Sequence, residues 1–424
     1  MNKIASADTG NSSLIATLCL PVLLAFALVA MLLFVGACSD DATEVPFPPQ
    51  PLPVAQNWLF AVYGNGPDDV YVGGAKGALM HYDGNLQNNW TLIPAGTNKA
   101  ITSIWGAGDG TLYATGHGGV VLRGSGSSWG TMTTGVTKDL YSIGRFRGSI
   151  VACGFEGTIL KLNGNTWGGV PGLSWILDET GAPSDTLIFG KDIASLTTVN
   201  SFFIGGAYND PNFDGEPDGT LGTRGGIFEI ADKSSFPPYE PETGAYQVLP
   251  DWVLRPLSGE QIVDDEWMLS STSDPADLSR NFLGTSEGWL FQLSDARGDT
   301  VWTKFTPSVT ESPRGGISAI WLDEPGNIYM VTTEGSIVYQ TADYKFNVSG
   351  SRETLYDGTV TLTGIWGTGQ GTFYVVGYME DMLMRCSHNQ TTGVFNFVFV
   401  PVKFPADKAM NPGPTMDKFG RPLY

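Results

Sequence analysis

The chain has 424 residues, with 23 Lys and Arg against 43 Asp and Glu, a formal charge of −20. Such acidity repels phosphate backbones and no basic stripe interrupts it, which argues against nucleic-acid binding. The 55 glycines, 12 tryptophans, 15 tyrosines and 22 phenylalanines, with helical periodicity nearly absent beyond the N-terminus, fit an all-β chain rich in turns.

The first element is an apolar run from Leu14 to Val35, broken only by Thr17 and Pro21, with Lys3 the sole positive charge before it. It ends in Val35-Gly36-Ala37-Cys38, followed by Ser39-Asp40-Asp41. A hydrophobic segment, two small residues and then cysteine resembles the lipobox of bacterial lipoproteins. The resemblance implies that residues 1–37 are a signal peptide, that Cys38 is lipidated, and that Ser39 directs the product to the outer membrane. An uncleaved anchor is the other reading, since about 20 apolar residues span a bilayer. Both place the remainder outside the cytoplasm on a membrane tether, in the cell envelope. Residues 38–57 carry Pro46, Pro48, Pro49, Pro51 and Pro53. They read as an extended strap of about 3.1 Å per residue, or as a segment packed on the rim of the next domain.

From residue 58 to residue 402 one short phrase recurs: a glycine, a variable residue and an apolar pair. Its copies begin at Gly77, Gly119, Gly157, Gly225, Gly288 and Gly335, and a seventh, Asp381-Met382-Leu383-Met384, lacks the glycine. The spacings are 42, 38, 68, 63, 47 and 46 residues. A strand-rich unit of about 40–50 residues repeated in this way predicts a seven-bladed β-propeller of four-stranded blades. In the second unit Ile104-Trp105-Gly106, Leu112-Tyr113-Ala114-Thr115 and the phrase at Gly119 read as three strands, and Trp129 opens a fourth. A β-sandwich with chance turn spacing is the competing fold. Residues 403–424 form a tail. Cys153 and Cys386 fall in blades 3 and 7, which are not ring neighbours, so both are expected as buried, unpaired thiols.

Asp210-Pro211-Asn212-Phe213-Asp214-Gly215-Glu216-Pro217-Asp218-Gly219 places oxygen side chains in the alternation of an EF-hand-type calcium loop, with glycine at its sixth position. Asp210, Asn212, Asp214, Glu216 and Asp218 are the candidate ligands. Leu221 stands where the bidentate acid belongs, so any calcium affinity is expected to be weak. An ordinary turn has the same composition. This segment lies between the second and third strands of blade 4, and a long connection, Leu173 to Asp192, precedes that blade. Both are expected to rise on one face of the disc, where binding loops sit on rigid scaffolds.

Catalytic patterns are sparse. His81, His117 and His388 are the three histidines, and no sequence pattern pairs them with a nucleophile. Acidic pairs such as Asp264-Asp265 are uninformative in so acidic a chain. The repeats, with Ile-Trp-Gly, Asp69-Val70-Tyr71-Val72-Gly73 and Asp83-Gly84 before Trp90-Thr91, resemble those of sialidase-like and photosystem-assembly-factor propellers of bacterial surfaces. Asn163-Gly164-Asn165-Thr166-Trp167 resembles only the tail of a sialidase Asp box, and no arginine cluster accompanies it. The resemblance implies a fold rather than a reaction. Two readings follow: a membrane-anchored propeller that binds a protein or glycan partner, or a secreted polysaccharide hydrolase or lyase with carboxylates in its central channel. Neither points to catalytic residues, and calcium is the one cofactor expected.

Overall fold

In the computed structural model the sevenfold phrase becomes the third strand of seven antiparallel sheets. The structure describes residues 58–84, 90–169, 173–177, 183–189, 195–201, 203–209, 223–230, 252–256, 267–274, 277–296, 299–305, 315–324, 326–341, 352–369, 371–378, 382–389, 392–402, 415–416 and 422–423. Blade 1 is β1 (Leu59–Gly66), β2 (Asp69–Gly74), β3 (Leu79–Tyr82) and β4 (Thr91–Leu92). Blade 2 is β5 (Ile101–Gly106), β6 (Leu112–Gly116), β7 (Val121–Ser125) and β8 (Ser128–Met132). Blade 3 is β9 (Leu140–Phe146), β10 (Ser149–Gly154), β11 (Ile159–Asn163) and β12 (Thr166–Gly169).

Two further strands, β13 (Leu173–Leu177) and β14 (Pro183–Phe189), precede blade 4, which is β15 (Ser195–Val199), β16 (Ile204–Asn209), β17 (Thr223–Ile230) and β18 (Trp252–Pro256). Blade 5 is β19 (Met268–Asp274), β20 (Asp277–Thr285), β21 (Leu290–Ala296) and β22 (Asp299–Phe305). Blade 6 is β23 (Ile317–Leu322), β24 (Ile328–Thr332), β25 (Ser336–Gln340) and β26 (Arg352–Asp357). Blade 7 is β27 (Leu362–Gly367), β28 (Thr372–Gly377), β29 (Met382–Asn389) and β30 (Val394–Pro401). A separate two-stranded ladder, β31 (Thr415–Met416) with β32 (Pro422–Leu423), follows.

The first strands are neighbours around the ring in chain order, and β27 returns to β1. Each blade is built from consecutive strands, so the ring closes by packing alone and no blade is shared between the chain ends. The core lies between blades. Val70, Val72 and Met80 of blade 1 pack with Tyr374, Val376 and Leu383 of blade 7, while Tyr71 and Leu79 turn the other way to Ile104, Leu112 and Leu122 of blade 2. A middle strand therefore has both faces covered, which explains why β6 and β24 are buried along their whole length. It also explains why such strands read as short apolar runs rather than as an alternation.

Every first strand carries a β-bulge near its start, at its second residue in six blades and at the third, Thr197, in blade 4. Phe60, Thr102, Tyr141, Thr197, Leu269, Ser318 and Thr363 each stand outside the pairing register with the second strand. A bulge leaves backbone groups unpaired and re-aims a side chain. Here that side chain reaches the next blade. Thr102 Oγ1 donates to the Leu140 carbonyl at 2.6 Å, Ser318 Oγ to Leu362 at 2.5 Å and Thr363 Oγ1 to Leu59 at 2.9 Å. Thr197 donates likewise to Met268, and Ser270, one residue past its bulge, to Ile317 at 2.7 Å. Across the seam between blades 3 and 4 the Cys153 thiol takes this part, 3.5 Å from the Leu196 carbonyl. Cys153 and Cys386 are both free and buried, as expected, and burial pushes each thiol well above its ordinary pKa.

Candidate functional site

The face on which the first strands begin also carries the turns from second to third strand, because Leu59 pairs with Gly74 and Gly73 with Leu79. This upper face is built from tight turns. In blade 1, Lys76 and Gly77 both have positive φ, and the Ala78 amide closes back on the Ala75 carbonyl at 2.9 Å. A Cβ on Gly77 would overlap the Thr97 carbonyl, so the repeated glycine is required both by its conformation and by the approach of the neighbouring connection. In the six blades other than blade 4 the residue that opens the turn anchors it: the amides of Ala75, His117, Phe155, Ser286, Thr333 and Tyr378 bond to the carbonyls of Trp58, Ala100, Asp139, Trp267, Gly316 and Thr361. Each acceptor immediately precedes the first strand of its own blade, so these turns form a ring on the upper face.

Blades 2 and 3 place a polar and aromatic group in that ring. Asp139 accepts the Gly118 amide at 2.7 Å and sits 3.7 Å from His117 Nδ1, and the buried His117 ring meets Tyr141 edge-on. Next to it, Phe155 is 43% exposed, although its backbone is fixed by the Asp139 carbonyl, by the Thr158 amide and hydroxyl, and by a bridge to Ser195 of blade 4. Lys138 and Glu156, both half-exposed, pair at 2.7 Å beside it. Blades 7 and 1 place an aromatic cluster there instead: Trp58 stacks on Tyr378 with centroids 4.5 Å apart, and Phe60 meets Tyr378 edge-on. The upper face thus offers one exposed aromatic framed by charge and one largely buried aromatic wall.

The other two histidines lie elsewhere. His81 Nε2 is 2.6 Å from Asp69 Oδ1 and stacks on Tyr71. His388 stacks on Phe395 at 3.9 Å, with Nδ1 3.0 Å from the Tyr329 hydroxyl. Asp69 is pulled two ways, upward by partial burial and downward by hydrogen bonds from Asn65, His81 and Tyr71; the downward effect wins. Burial lowers His388, against an opposing pull from Asp323 and Glu353. The three histidines thus occupy three different blades and are not brought together. Among the described residues no group of three or more His, Cys, Asp or Glu is placed to hold a metal ion, and no helix is long and apolar enough to cross a membrane.

Asp210, Asn212, Asp214, Glu216 and Asp218, the lipidation candidate Cys38, and the Asp264-Asp265 pair all lie outside the described residues. The strands around the calcium candidate are described. Asn209 pairs with Thr223, so residues 210–222 connect two adjacent strand ends on the upper face. The connection before blade 4, read from the sequence as a loop, instead contributes the hairpin β13–β14. β13 runs parallel to β18 and widens blade 4 to six strands, in the order β14-β13-β18-β17-β16-β15. The signal was present as two apolar runs, Leu173 to Leu177 and Leu187 to Phe189, around the turn residues Gly181-Ala182-Pro183. The His117–Asp139 pair was not legible, because its members belong to turns of adjacent blades.

No protein-family model matches the chain. Over 90 residues, 21% of this chain, the sequence is 34% identical to the immune protein Tsi7 of Pseudomonas aeruginosa, and the match spans 28% of the length of Tsi7. Among solved structures, YCF48 from Cyanidioschyzon merolae superposes with a TM-score of 0.48 and 13% identity, over 79% of this chain and 97% of YCF48. YCF48 bound to D1 peptide gives 0.46 and 12%, over 81% and 99% of the two chains. The computationally designed Ika8 protein gives 0.44 and 10%, over 82% and 98%.

Proposed function

We propose that this chain is an envelope-tethered β-propeller whose upper face binds a protein or glycan partner, with blades 2 to 4 as the contact sector. The observation that carries this reading is Phe155. Its side chain is 43% exposed although its backbone is held by Asp139, by Thr158 and by the bridge to Ser195 of blade 4, and the Lys138–Glu156 pair adjoins it. A rigidly presented aromatic within a polar frame is the arrangement of an interface anchor. Residues 210–222 are rooted in blade 4, which also carries the hairpin β13–β14 on its outer edge, so the scaffold departs from its regular repeat in the blade next to the anchor. The local sequence match to an immune protein is in keeping with a protein as the partner. The lipobox resemblance supplies the tether, through lipidated Cys38, and accounts for the proline-rich residues 38–57.

The test is affinity capture from envelope extract with the parent chain and with Phe155→Glu, whose solvent-facing position leaves folding intact. The parent is expected to retain a partner that the variant loses, with unchanged circular dichroism. Equal capture by both chains would remove the upper face from the reading.

A further inference from the structure

The outer strand of each propeller blade has one edge without a neighbour in its own sheet, and such an edge invites pairing with another chain unless something blocks it. Five blades of this protein block it, and blade 2 presents a five-residue strand with no exposed apolar side chain. β4 has two residues and β12 four. On β8 the exposed positions are Ser128, Gly130 and Thr131. β18 is covered by the parallel strand β13. β22 contains Asp299 and Lys304, and β26 contains Arg352, Glu353 and Asp357.

Among the described residues, β30 has none of these protections along most of its length. It runs for eight residues, Val394-Phe395-Asn396-Phe397-Val398-Phe399-Val400-Pro401, with proline only at its last position. Val394 is 51% exposed, Val398 57% and Phe399 44%; with Phe155 they are the exposed large apolar side chains among the described residues. From Cys386 to Val402, 17 residues covering the second half of β29 and all of β30 contain no Asp, Glu, Lys or Arg, and the nearest charge in the sheet is Arg385, paired with Val398 on the inner side.

We infer that β30 is a self-association edge, on which a second copy of this chain pairs its own β30 antiparallel about a two-fold axis. Charge selects this occupant. With a net charge of −20, two copies meet acidic surface over most approaches, whereas β30 carries no charge of its own and has no acid among its paired residues on β29. An antiparallel strand is its own complement under a two-fold axis, so one patch serves both partners and the assembly closes at two. The product joins two blades 7 into a continuous eight-stranded sheet and leaves both upper faces free. Blade 4 already shows the device within one chain, where an added strand covers the outer edge of a blade.

The test is the mass of the full chain in detergent by light scattering, with the micelle contribution subtracted. The parent is expected at twice the single-chain mass, Val398→Lys at the single-chain mass, and Thr131→Lys, a charge placed on the exposed face of β8, at the parent mass. Near-ultraviolet circular dichroism identical for all three confirms that the change is one of assembly. A parent of single-chain mass, a Val398→Lys variant that stays double, or equal loss in Thr131→Lys overturns the inference.

Discussion

Trp366 of blade 7 packs so closely on Gly64 of blade 1 that a Cβ on that glycine would lie 2.6 Å from the indole ring. The neighbouring seams repeat the relation: Trp321 covers Gly367, Tyr63 covers Gly106, and Arg145 reaches over Trp105 with its guanidinium 5.9 Å from the ring centroid. The Ile-Trp-Gly repeat is therefore a joint. The aromatic residue of one blade needs the bare backbone of the next. At the closing seam the Tyr374 hydroxyl also donates to the Pro67 carbonyl at 2.7 Å, so chain ends far apart in sequence meet through the same chemistry as internal blades. Gly64→Ala is expected to displace the indole and destabilise the propeller by about 1–3 kcal/mol, the usual cost of overpacking. Urea denaturation checks this. An unchanged midpoint would mean that the seam yields freely and does not hold the ring.

The bulge hydroxyls make a second, separable contribution. Thr363→Val keeps the branched shape but leaves the Leu59 carbonyl without its 2.9 Å donor, at a cost of about 1 kcal/mol. Thr102→Val does the same to Leu140 one seam beyond the neighbouring one. The sites share no partner, so the double variant should lose the sum of the two effects within about 0.5 kcal/mol. A loss well above that sum would show that opening one seam loosens the whole ring.

Acid should weaken the fold in two stages. His388 has a folded-state pKa below its ordinary value because burial disfavours the imidazolium. The unfolded chain therefore binds more protons there, and stability falls as the pH drops below about 6.5. Asp69 is also depressed, by the bonds from Asn65, His81 and Tyr71, so its contribution is present above about pH 4 and is lost as the pH falls through its folded value. His388→Phe, which preserves a flat ring against Phe395, should flatten the pH dependence between 7.5 and 5.5. Asp69→Asn should flatten it only below about pH 4. Urea midpoints across the range separate the two, and an effect of either variant in the other window would reject the assignment.

The ring was legible because its tightest requirements fall on residues with little freedom. Gly77 and Gly119 need positive φ and lie under neighbouring carbonyls, and Gly64 and Gly106 lie under aromatic rings, so the sequence repeats them. The bulge, equally regular in space, left no pattern. Its seven positions hold Phe60, Thr102, Tyr141, Thr197, Leu269, Ser318 and Thr363, since a bulge constrains the backbone and tolerates many side chains. The hairpin β13–β14 escaped because it lies outside the repeat that made the other strands recognisable. Phe155 was passed over because one exposed aromatic cannot be told from a buried one by spacing alone.

The proposed tether rests on Cys38. Cells supplied with labelled palmitate are expected to label the parent chain, and Cys38→Ala is expected to abolish the label and retain residues 1–37 on the product. An unlabelled parent that keeps its N-terminus would instead make the apolar run Leu14 to Val35 an uncleaved anchor.

Calcium at Asp210, Asn212, Asp214, Glu216 and Asp218 is testable through stability. The Asn209–Thr223 pair joins the ends of β16 and β17, so an ion bound between these positions is expected to act on two inner strands of blade 4. With Leu221 in place of the bidentate acid, any calcium affinity is expected in the weak range of extracellular modules, a Kd of about 1 mM. At roughly 10 mM calcium, binding to the folded state alone then adds about 1.4 kcal/mol. That gain appears as a small upward shift in melting temperature, which magnesium should not reproduce because its octahedral shell is stricter. Asp214→Ala should remove the shift while leaving the calcium-free melting temperature close to that of the parent, since the substitution lies beyond the paired strand ends. If the parent melts at the same temperature with and without the ion, the alternating acids are an ordinary turn, and partner recognition in this sector falls to Phe155 and its charged frame.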